Sequence, residues 1–173
     1  SSQGIYPPGS TFKMVTALAA LEDGLITLDD TYSCSGYVEV SGRRFHCWRR
    51  DGHGEVDFVR SLRESCDVYY YELCQEVGIE RIAAMARRLG LGVTYDLPLL
   101  SVAEGRVPTR AWKRARRGAD WVIGDTLNAT IGQGFVLASP LQLAVMTARI
   151  GMGTRVMPRL VRAVDGVEQP VQG

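Results

Sequence analysis

The stretch "YPPGSTFKMVTALAALEDG", residues 6–24, decides the fold because a rigid turn leads directly into an apolar helix. Proline presets φ and glycine permits close backbone contact, so residues 7–9 form a tight approach. The sequence predicts a helix that begins at Ser10, runs to about Glu22 and stops at Gly24. Its apolar residues nearly encircle the helix axis, which indicates burial on most sides.

Two side chains at the start of this helix carry potential chemistry. Ser10 and Lys13 are one turn apart and therefore share a face. The N–H groups of a first helical turn have no partners within the helix, so negative charge that develops near Ser10 is favoured. A buried lysine one turn away can take the proton of the serine hydroxyl. As a pattern of four residues, S-x-x-K is weak, because it occurs by chance in many proteins.

The composition is that of an ordinary globular domain. The chain has 173 residues, of which 46% are hydrophobic and 23% charged, and these values are typical of one folded domain. The net charge of +1 gives no indication of a nucleic-acid partner. Spanning a bilayer takes about 18 to 20 apolar residues, and no run in the sequence approaches that length. We therefore expect any membrane anchor to lie outside this sequence.

The remaining patterns are mainly helical. Helices are predicted from Asp57 to about Glu64, over residues 67–77, over residues 79–89 and, with Ser139 as N-cap, to Gly151. Residues 91–109 have the character of a loop. The basic stretch "RAWKRARRGADW", residues 110–121, is typical of a solvated face rather than of a binding patch.

Strand-like patterns are short and few. They cover residues 37–40, residues 44–48, "TLNATIGQGF" at residues 126–135 and "RLVRAV" at residues 159–164. The first two lie in an irregular, glycine-rich segment, residues 29–56, and long irregular segments are usually functional or stapled. The sequence therefore predicts an α+β fold that is rich in helix.

A second candidate for chemistry is Ser65-Cys66-Asp67, at the junction between two predicted helices. A hydroxyl and a carboxyl group two residues apart on a turn can both face one cleft. The alternative is that Ser65 and Asp67 cap the helix that begins near Cys66. Local sequence alone favours capping.

Together these residues resemble a known family. "YPPGSTFK" (6–13), "SCDVYYYELCQEVGI" (65–79), "PTRAWK" (108–113), "GDT" (124–126) and "IGQG" (131–134) followed by "SPLQLA" (139–144) are similar to the transpeptidase domain of class B penicillin-binding proteins. The likeness is greatest to the elongation-type subgroup, penicillin-binding protein 2. It extends from about Gly4 to Val164, and the motifs stand in the family's order. It implies the penicillin-binding and serine β-lactamase fold, represented here mainly by its α-rich part.

The resemblance implies an acyl-transfer enzyme. Ser10 would attack the penultimate D-Ala of a peptidoglycan stem peptide, Lys13 would take its proton, and Ser65 would relay a proton to the leaving D-Ala. The family's second motif is usually S-x-N, and Asp67 stands in its third place, where an ionised carboxylate cannot donate a hydrogen bond. β-Lactams would acylate Ser10, and a SEDS-family glycosyltransferase of the elongation machinery would be the partner, at the periplasmic face of the inner membrane.

One family motif, K-[ST]-G on a core strand, is not found. Lys113 is followed by arginine, and the Gly-Thr at residues 153–154 has no lysine before it. We therefore expect residues 1–173 to be a partial transpeptidase domain, with this strand, the pedestal domain and the membrane anchor elsewhere. Loss of oxyanion-hole donors typically costs about a hundredfold to a thousandfold in rate, so the activity of this chain alone is in question.

Three of the four cysteines join a histidine in a further constellation. Its order is Cys34-x12-Cys47-x5-His53-x12-Cys66, with His53 in "DGHGE". Three thiolates and one imidazole are an ordinary ligand set for structural zinc, although the spacing is not that of a zinc finger. The glycines beside His53 let its ring approach a metal, and the resemblance implies that relatives can carry a metal here. We predict a zinc site that staples residues 29–66.

Other interpretations of the same residues stay open. Cys34 and Cys47 can form a disulfide, or the thiols can be buried beside a surface histidine. His46 is a competing imidazole, and Cys74 is predicted to face the core. Bound to a metal, Cys66 would orient the Ser65 turn from behind. For the whole chain, the alternatives to a transpeptidase are a metal-stapled, catalytically silent interaction module and a serine β-lactamase or β-lactam sensor.

Overall fold

The computed structural model of the chain describes residues 4–95 and 103–153. A short 3-10 helix, Gly9–Phe12, leads into the first of seven α-helices in this part of the chain. The α-helices are α1 Lys13–Glu22, α2 Phe58–Arg63, α3 Asp67–Val77, α4 Ile79–Arg88, α5 Arg110–Arg117, α6 Ile123–Thr130 and α7 Pro140–Gly153.

The strands form two small antiparallel sheets, both within the irregular glycine-rich segment. Their bounds are β1 Tyr32–Cys34, β2 Tyr37–Val40, β3 Arg43–His46 and β4 Gly54–Val56. β1 pairs with β4, with Cys34 opposite Gly54, and β2 pairs with β3, with Val38 opposite Phe45. The predicted strand-like pieces at residues 37–40 and 44–48 are therefore confirmed, the second with its bounds shifted by one and two residues.

The core is centred on α3. This helix packs against α1, α4 and α6, and it also contacts the strands β1, β2 and β3. Tyr69, Tyr70 and Leu73 on α3 are fully buried. Burial of such side chains contributes about 1.5–3 kcal/mol each, so α3 is the element around which the rest of the chain assembles. Because Ser65 and Cys66 lie directly before α3, the core also sets their position.

Several helix ends follow local signals in the sequence. Asp57 caps α2 by accepting a hydrogen bond from the backbone N–H of Arg60 at 2.9 Å, and α3 ends before Gly78 as predicted. At the start of α7, Ser139 Oγ accepts from the Gln142 N–H at 3.2 Å while Gln142 Oε1 accepts from the Ser139 N–H at 3.0 Å. α7 extends to Gly153, two residues beyond the predicted end.

Within residues 126–135, the predicted short strand is wrong, whereas the predicted glycine loop after it is present. Residues 123–130 form α6, in which the buried positions are Thr126, Leu127, Ala129 and Thr130. This spacing is helical, and the apparent alternation of "TLNAT" arises because small and polar residues also face the core. The hydroxyl of the buried Thr130 is satisfied by a 2.8 Å hydrogen bond with that of Thr16 on α1. The predicted strand at residues 159–164 lies outside the described residues.

The α+β prediction is confirmed in its helix-rich form. The described part of the chain, residues 4–95 and 103–153, contains no helix both long and apolar enough to cross a membrane.

Candidate functional site

Ser10 lies in the 3-10 helix that precedes α1, whereas the sequence predicted an α-helix from Ser10 onward. The turn is held by a backbone hydrogen bond from Gly9 N to the Gly132 carbonyl, at 3.0 Å. Gly132 has φ of +71°, and a Cβ at this position would overlap the backbone of Gly9. The IGQG loop at residues 131–134 therefore packs directly against the turn that bears Ser10.

Lys13, the first residue of α1, is only 2% exposed and directs its ammonium group toward the Ser65 turn. Lys13 Nζ donates to Asp67 Oδ1 at 2.7 Å, to Ser65 Oγ at 3.0 Å and to the Ser65 carbonyl at 3.1 Å. A buried amine with three acceptors is oriented by all of them, and the ion pair with Asp67 compensates its charge.

Ser65 connects this amine to the candidate nucleophile. Its hydroxyl donates to Ser10 Oγ at 3.1 Å and accepts from Lys13 Nζ. Among the described residues, the hydrogen-bonded path from Ser10 to Lys13 passes through Ser65. The spacing of the two residues predicted a direct proton transfer between Ser10 and Lys13. The geometry instead places the Ser65 hydroxyl between the two.

The capping alternative for Ser65 and Asp67 does not describe the structure. The N-cap of α3 is Cys66, and no side chain caps this end of the helix. Asp67 Oδ1 accepts from Lys13, while its Oδ2 accepts from the backbone N–H of Trp48 at 2.9 Å. Ser65 has φ of +51°, which is uncommon for a residue with a side chain. The turn thus aims both side chains at Lys13 rather than at the helix end.

Trp48 is a residue of this site that sequence reasoning missed. Its indole N–H donates to the carbonyls of Glu64 and Ser65, each at 3.0 Å, although the residue is 61% exposed. With the backbone bond to Asp67, it contacts the Ser65 turn through two N–H groups. The feature of the sequence that could have indicated Trp48 is its position directly after a candidate metal ligand, Cys47, in a segment that has no core of its own.

The predicted metal ligands converge on one buried point. One potential ligand atom from each of four side chains lies within 4.8 Å of all the others, in the set Cys34, Cys47, His53 and Cys66. Cys34 ends β1 and Cys47 follows β3, while His53 precedes β4 and Cys66 precedes α3. A carbon side chain at Gly52 would overlap the backbone at Cys34 and Ser35. The glycine beside His53 therefore brings these two loops together.

The geometry of this cluster fits a tetrahedral ion. His53 Nδ1 is 3.6 Å from Cys34 Sγ and 3.5 Å from Cys47 Sγ. Metal–ligand bonds of about 2.3 Å to sulfur and 2.0–2.1 Å to nitrogen, at tetrahedral angles, require S···N separations of about 3.5–3.6 Å. All four cysteines of the chain carry free thiols, so the alternative Cys34–Cys47 disulfide is not formed.

The other candidates lie apart from this point. Cys74 donates to the Tyr71 carbonyl at 3.3 Å within α3, and His46 is exposed. Within the cluster, burial raises the pKa of the Cys66 thiol, and the neighbouring Cys34 and Cys47 thiols raise it further. Burial lowers the pKa of His53. These four residues can hold a metal ion.

The cluster and the Ser10 site are connected along the chain at two places, residues 65–67 and residues 47–48. Cys66 is flanked by Ser65, which reaches Ser10, and by Asp67, which reaches Lys13. Cys47 is followed by Trp48, whose ring packs edge-on against His53 with centroids 5.3 Å apart. Two of the four cluster residues are therefore directly bonded along the chain to residues that shape the Ser10 site.

The chain is similar to a known protein family and to characterised relatives. The family described as "Penicillin binding protein transpeptidase domain" matches residues 1–172. A curated relative from Acinetobacter baumannii, "Peptidoglycan D,D-transpeptidase MrdA", is 37% identical over 169 residues, which are 96% of this chain and 25% of that protein.

Solved structures agree in fold. The crystal structure of Pseudomonas aeruginosa PBP2 in complex with WCK 5153 has a TM-score of 0.80 and 39% identity, covering 84% of this chain and 34% of that one. PBP2 of Helicobacter pylori, solved with MreC, has a TM-score of 0.76 and 40% identity, covering 81% of this chain and 26% of that one. The predicted transpeptidase fold is thereby confirmed. The chain spans about a quarter of the length of the curated relatives it matches.

Proposed function

Because the chain belongs to the penicillin-binding protein transpeptidase domain family, we propose that it supplies the acylation site of a serine D,D-transpeptidase. This enzyme cross-links peptidoglycan stem peptides during cell elongation and is a target of β-lactams. The observation that carries the proposal is the hydrogen-bonded network in which Ser65 joins Ser10 to Lys13 and Lys13 pairs with Asp67. A silent interaction module has no need of a buried lysine oriented toward two serine hydroxyls.

The network supports the following acylation step. Ser10 Oγ attacks the carbonyl of the penultimate D-Ala, and its proton passes through the Ser65 hydroxyl to Lys13 once the amine has given up a proton, for which Asp67 Oδ1 at 2.7 Å is an acceptor. When the C–N bond breaks, the proton returns through Ser65 to the leaving D-Ala amine. An acceptor amine from a neighbouring stem peptide then resolves the acyl-enzyme.

Asp67 and Trp48 act as positioning residues in this proposal. Asp67 holds the Lys13 amine at 2.7 Å, a role that needs an acceptor and not a donor. This explains how aspartate can stand where the family usually has asparagine. Trp48 fixes both Asp67 and the Ser65 carbonyl.

A fluorescent penicillin tests the acylation site. Incubation with the protein, followed by mass spectrometry of the peptides, should locate a covalent adduct on Ser10. Ser10→Ala should abolish the adduct, whereas Thr11→Ala should retain it, because the Thr11 hydroxyl bonds to the Pro8 carbonyl at 2.8 Å and not to the network. Equal labelling of the Ser10→Ala variant, or an adduct on another residue, would refute the proposal.

We further propose that the cysteine and histidine cluster binds a zinc ion and that the role of this ion is structural. Three thiolates and an imidazole are a typical ligand set for zinc, and four protein ligands leave no open position for substrate. Bound zinc would hold residues 29–66 against α3. Metal analysis with a thiol count should find one zinc ion per chain. Cys66→Ser should lose the ion, and Cys74→Ser, which removes a buried thiol outside the cluster, should keep it.

The partners and location follow from the relatives by analogy. The H. pylori relative was solved in complex with MreC, which supports an interaction of this protein with an elongation complex that includes a SEDS-family glycosyltransferase. We propose that it acts at the periplasmic face of the inner membrane. Co-purification of a tagged protein with MreC and with the glycosyltransferase from native membranes is the expected result, and failure to recover either would refute it.

A further inference from the structure

A cavity lies beside α5, and its lining is separate from the Ser10 site. Its volume is about 320 Å³, within the range of ligand pockets. None of its lining residues belongs to the Ser10 network or to the cysteine and histidine cluster. They are Arg87, Gly92, Glu104, Gly105, Arg106, Val107, Trp112, Arg116 and Arg117.

The lining of this cavity is strongly basic. The lining includes four arginines and a single acidic residue, Glu104. Within residues 4–95 and 103–153, none of these four arginines forms an ion pair, whereas Arg114 on the same helix pairs with Asp120 at 2.9 Å. The positive charge around the cavity is therefore largely uncompensated by the described residues.

Aromatic rings hold two of these arginines. The Arg106 guanidinium lies 4.6 Å from the centroid of the Trp112 ring, and that of Arg117 lies 5.3 Å from the centroid of Phe135. Such stacking leaves the N–H edge of the guanidinium group available to a ligand and limits its motion. Burial lowers the pKa of Arg106, as do the charges of Arg117 and Arg116.

Two lining residues, Glu104 and Arg106, are also held through their backbones. The fully buried Gln142 donates from Nε2 to the Glu104 carbonyl at 2.6 Å and to the Val93 carbonyl at 2.8 Å. Arg106 exchanges two backbone hydrogen bonds with Leu137, at 2.7 and 3.0 Å. The cavity is thus formed by anchored elements, and a ligand would not have to order it.

We propose that this cavity binds a phosphate group. Guanidinium groups donate paired N–H bonds to phosphate oxygens, and several of them around one cavity favour a dianion over a single carboxylate. The basic stretch at residues 110–121, which the sequence analysis assigned to a solvated face, then contributes one wall of an anion site. The inference is independent of acylation at Ser10.

Two sources of phosphate share this chemistry, and the experiment separates them. One titration uses inorganic phosphate at constant ionic strength, followed by calorimetry. The other uses vesicles of phosphatidylcholine with and without phosphatidylglycerol, followed by sedimentation. Saturable binding of free phosphate supports a soluble ligand. Binding only to the anionic vesicles supports a lipid headgroup.

Matched variants decide whether the cavity is responsible. Arg117→Ala should weaken binding about tenfold, and Glu104→Gln should strengthen it, because the one carboxylate of the lining is neutralised. Arg110→Ala, an exposed arginine of α5 outside the lining, should leave binding within about twofold. Penicillin labelling of Ser10 should not change in any of the three. Absence of saturable binding to both probes, or an equal loss in Arg110→Ala, would overturn the proposal.

Discussion

Ser65 has a backbone conformation that serine rarely adopts, at the point where the proposed mechanism requires its hydroxyl. A left-handed conformation costs a residue with a Cβ about 1–2 kcal/mol, and φ at Ser65 is +51°. Hydrogen bonds to the backbone and to the side chain of Ser65 stabilise this conformation. Lys13 and Trp48 donate to the Ser65 carbonyl, and Ser10 accepts from the Ser65 hydroxyl.

Two substitutions at Ser65 distinguish the contribution of its hydroxyl to acylation from the cost of its backbone conformation. Ser65→Ala and Ser65→Gly both remove the link between Ser10 and Lys13, so acylation by penicillin should slow by about a hundredfold or more in each. Because glycine adopts positive φ readily, Ser65→Gly should be about 1 kcal/mol more stable than Ser65→Ala. Stopped-flow acylation and thermal unfolding measure the two effects. An unchanged acylation rate in both variants would exclude Ser65 from the proton path.

Trp48→Phe tests the positioning role of the indole N–H. Phenylalanine keeps an aromatic ring beside His53 and the backbone N–H bond to Asp67, but it cannot donate to the Glu64 and Ser65 carbonyls. A net hydrogen bond contributes about 1 kcal/mol, so stability should fall by that amount. Acylation should fall about tenfold with a shifted pH profile, because the Ser65 carbonyl and Lys13 reorient. A loss of stability with unchanged acylation would assign Trp48 a purely structural role.

At the scale of elements, the Ser10 turn and the IGQG loop act as one unit. The turn comes from the start of the chain and the loop follows α6, yet their backbones are joined by the hydrogen bond from Gly9 to Gly132. This close approach explains why the family motifs at residues 6–13 and 131–134 occur together. The loop has no side chain in the Ser10 network and acts through the backbone of the turn.

Gly132→Ala should disturb this unit more than Gly134→Ala does. The two glycines have similar φ values, +71° and +67°, so the backbone strain of an alanine is similar at both. At Gly134, a Cβ would lie 3.1 Å from the Asn128 Cβ, whereas at Gly132 it would overlap the backbone of Gly9. We expect Gly132→Ala to lose about 1–3 kcal/mol more stability, together with most of the acylation rate. Equal midpoints in thermal unfolding would contradict this account.

The elements that could be predicted from sequence are those with a local signal at their ends. Asp57 and Gly78 mark helix ends that the structure confirms. α6 was predicted as a strand because its buried face includes the polar residues Thr126 and Thr130, and the partner of Thr130, Thr16, is far away in the chain. The proximity of Ser10, Lys13 and Ser65 followed from the family resemblance. Two features could not be predicted: that the Ser65 hydroxyl links Ser10 to Lys13, and that Trp48 supports the Ser65 turn. Both arise from tertiary contacts, which residue spacing does not indicate.

At the scale of the whole molecule, the cysteine and histidine cluster connects the small sheets to the core. Three of its members come from the glycine-rich segment at residues 29–56, here called the β-segment, and Cys66 is the N-cap of α3. The two sheets of this segment have two strands each, and isolated hairpins of that kind are at best marginally stable in water. An ion that joins them to α3 would therefore stabilise both the segment and the Ser65 turn.

Removal of the metal should accordingly lower stability and acylation together. At a free zinc concentration of about 100 times Kd, binding adds about 2.7 kcal/mol to the free energy of unfolding, so a chelator should lower the unfolding midpoint by a corresponding amount. The acylation rate at Ser10 should fall in parallel, since Cys66 and Trp48 connect the cluster to Ser65 and Asp67. Zinc, but not magnesium, should restore both quantities, because thiolates bind magnesium poorly. A lower midpoint with an unchanged acylation rate would show that the cluster supports the β-segment alone and that the Ser65 turn is held by the core around α3.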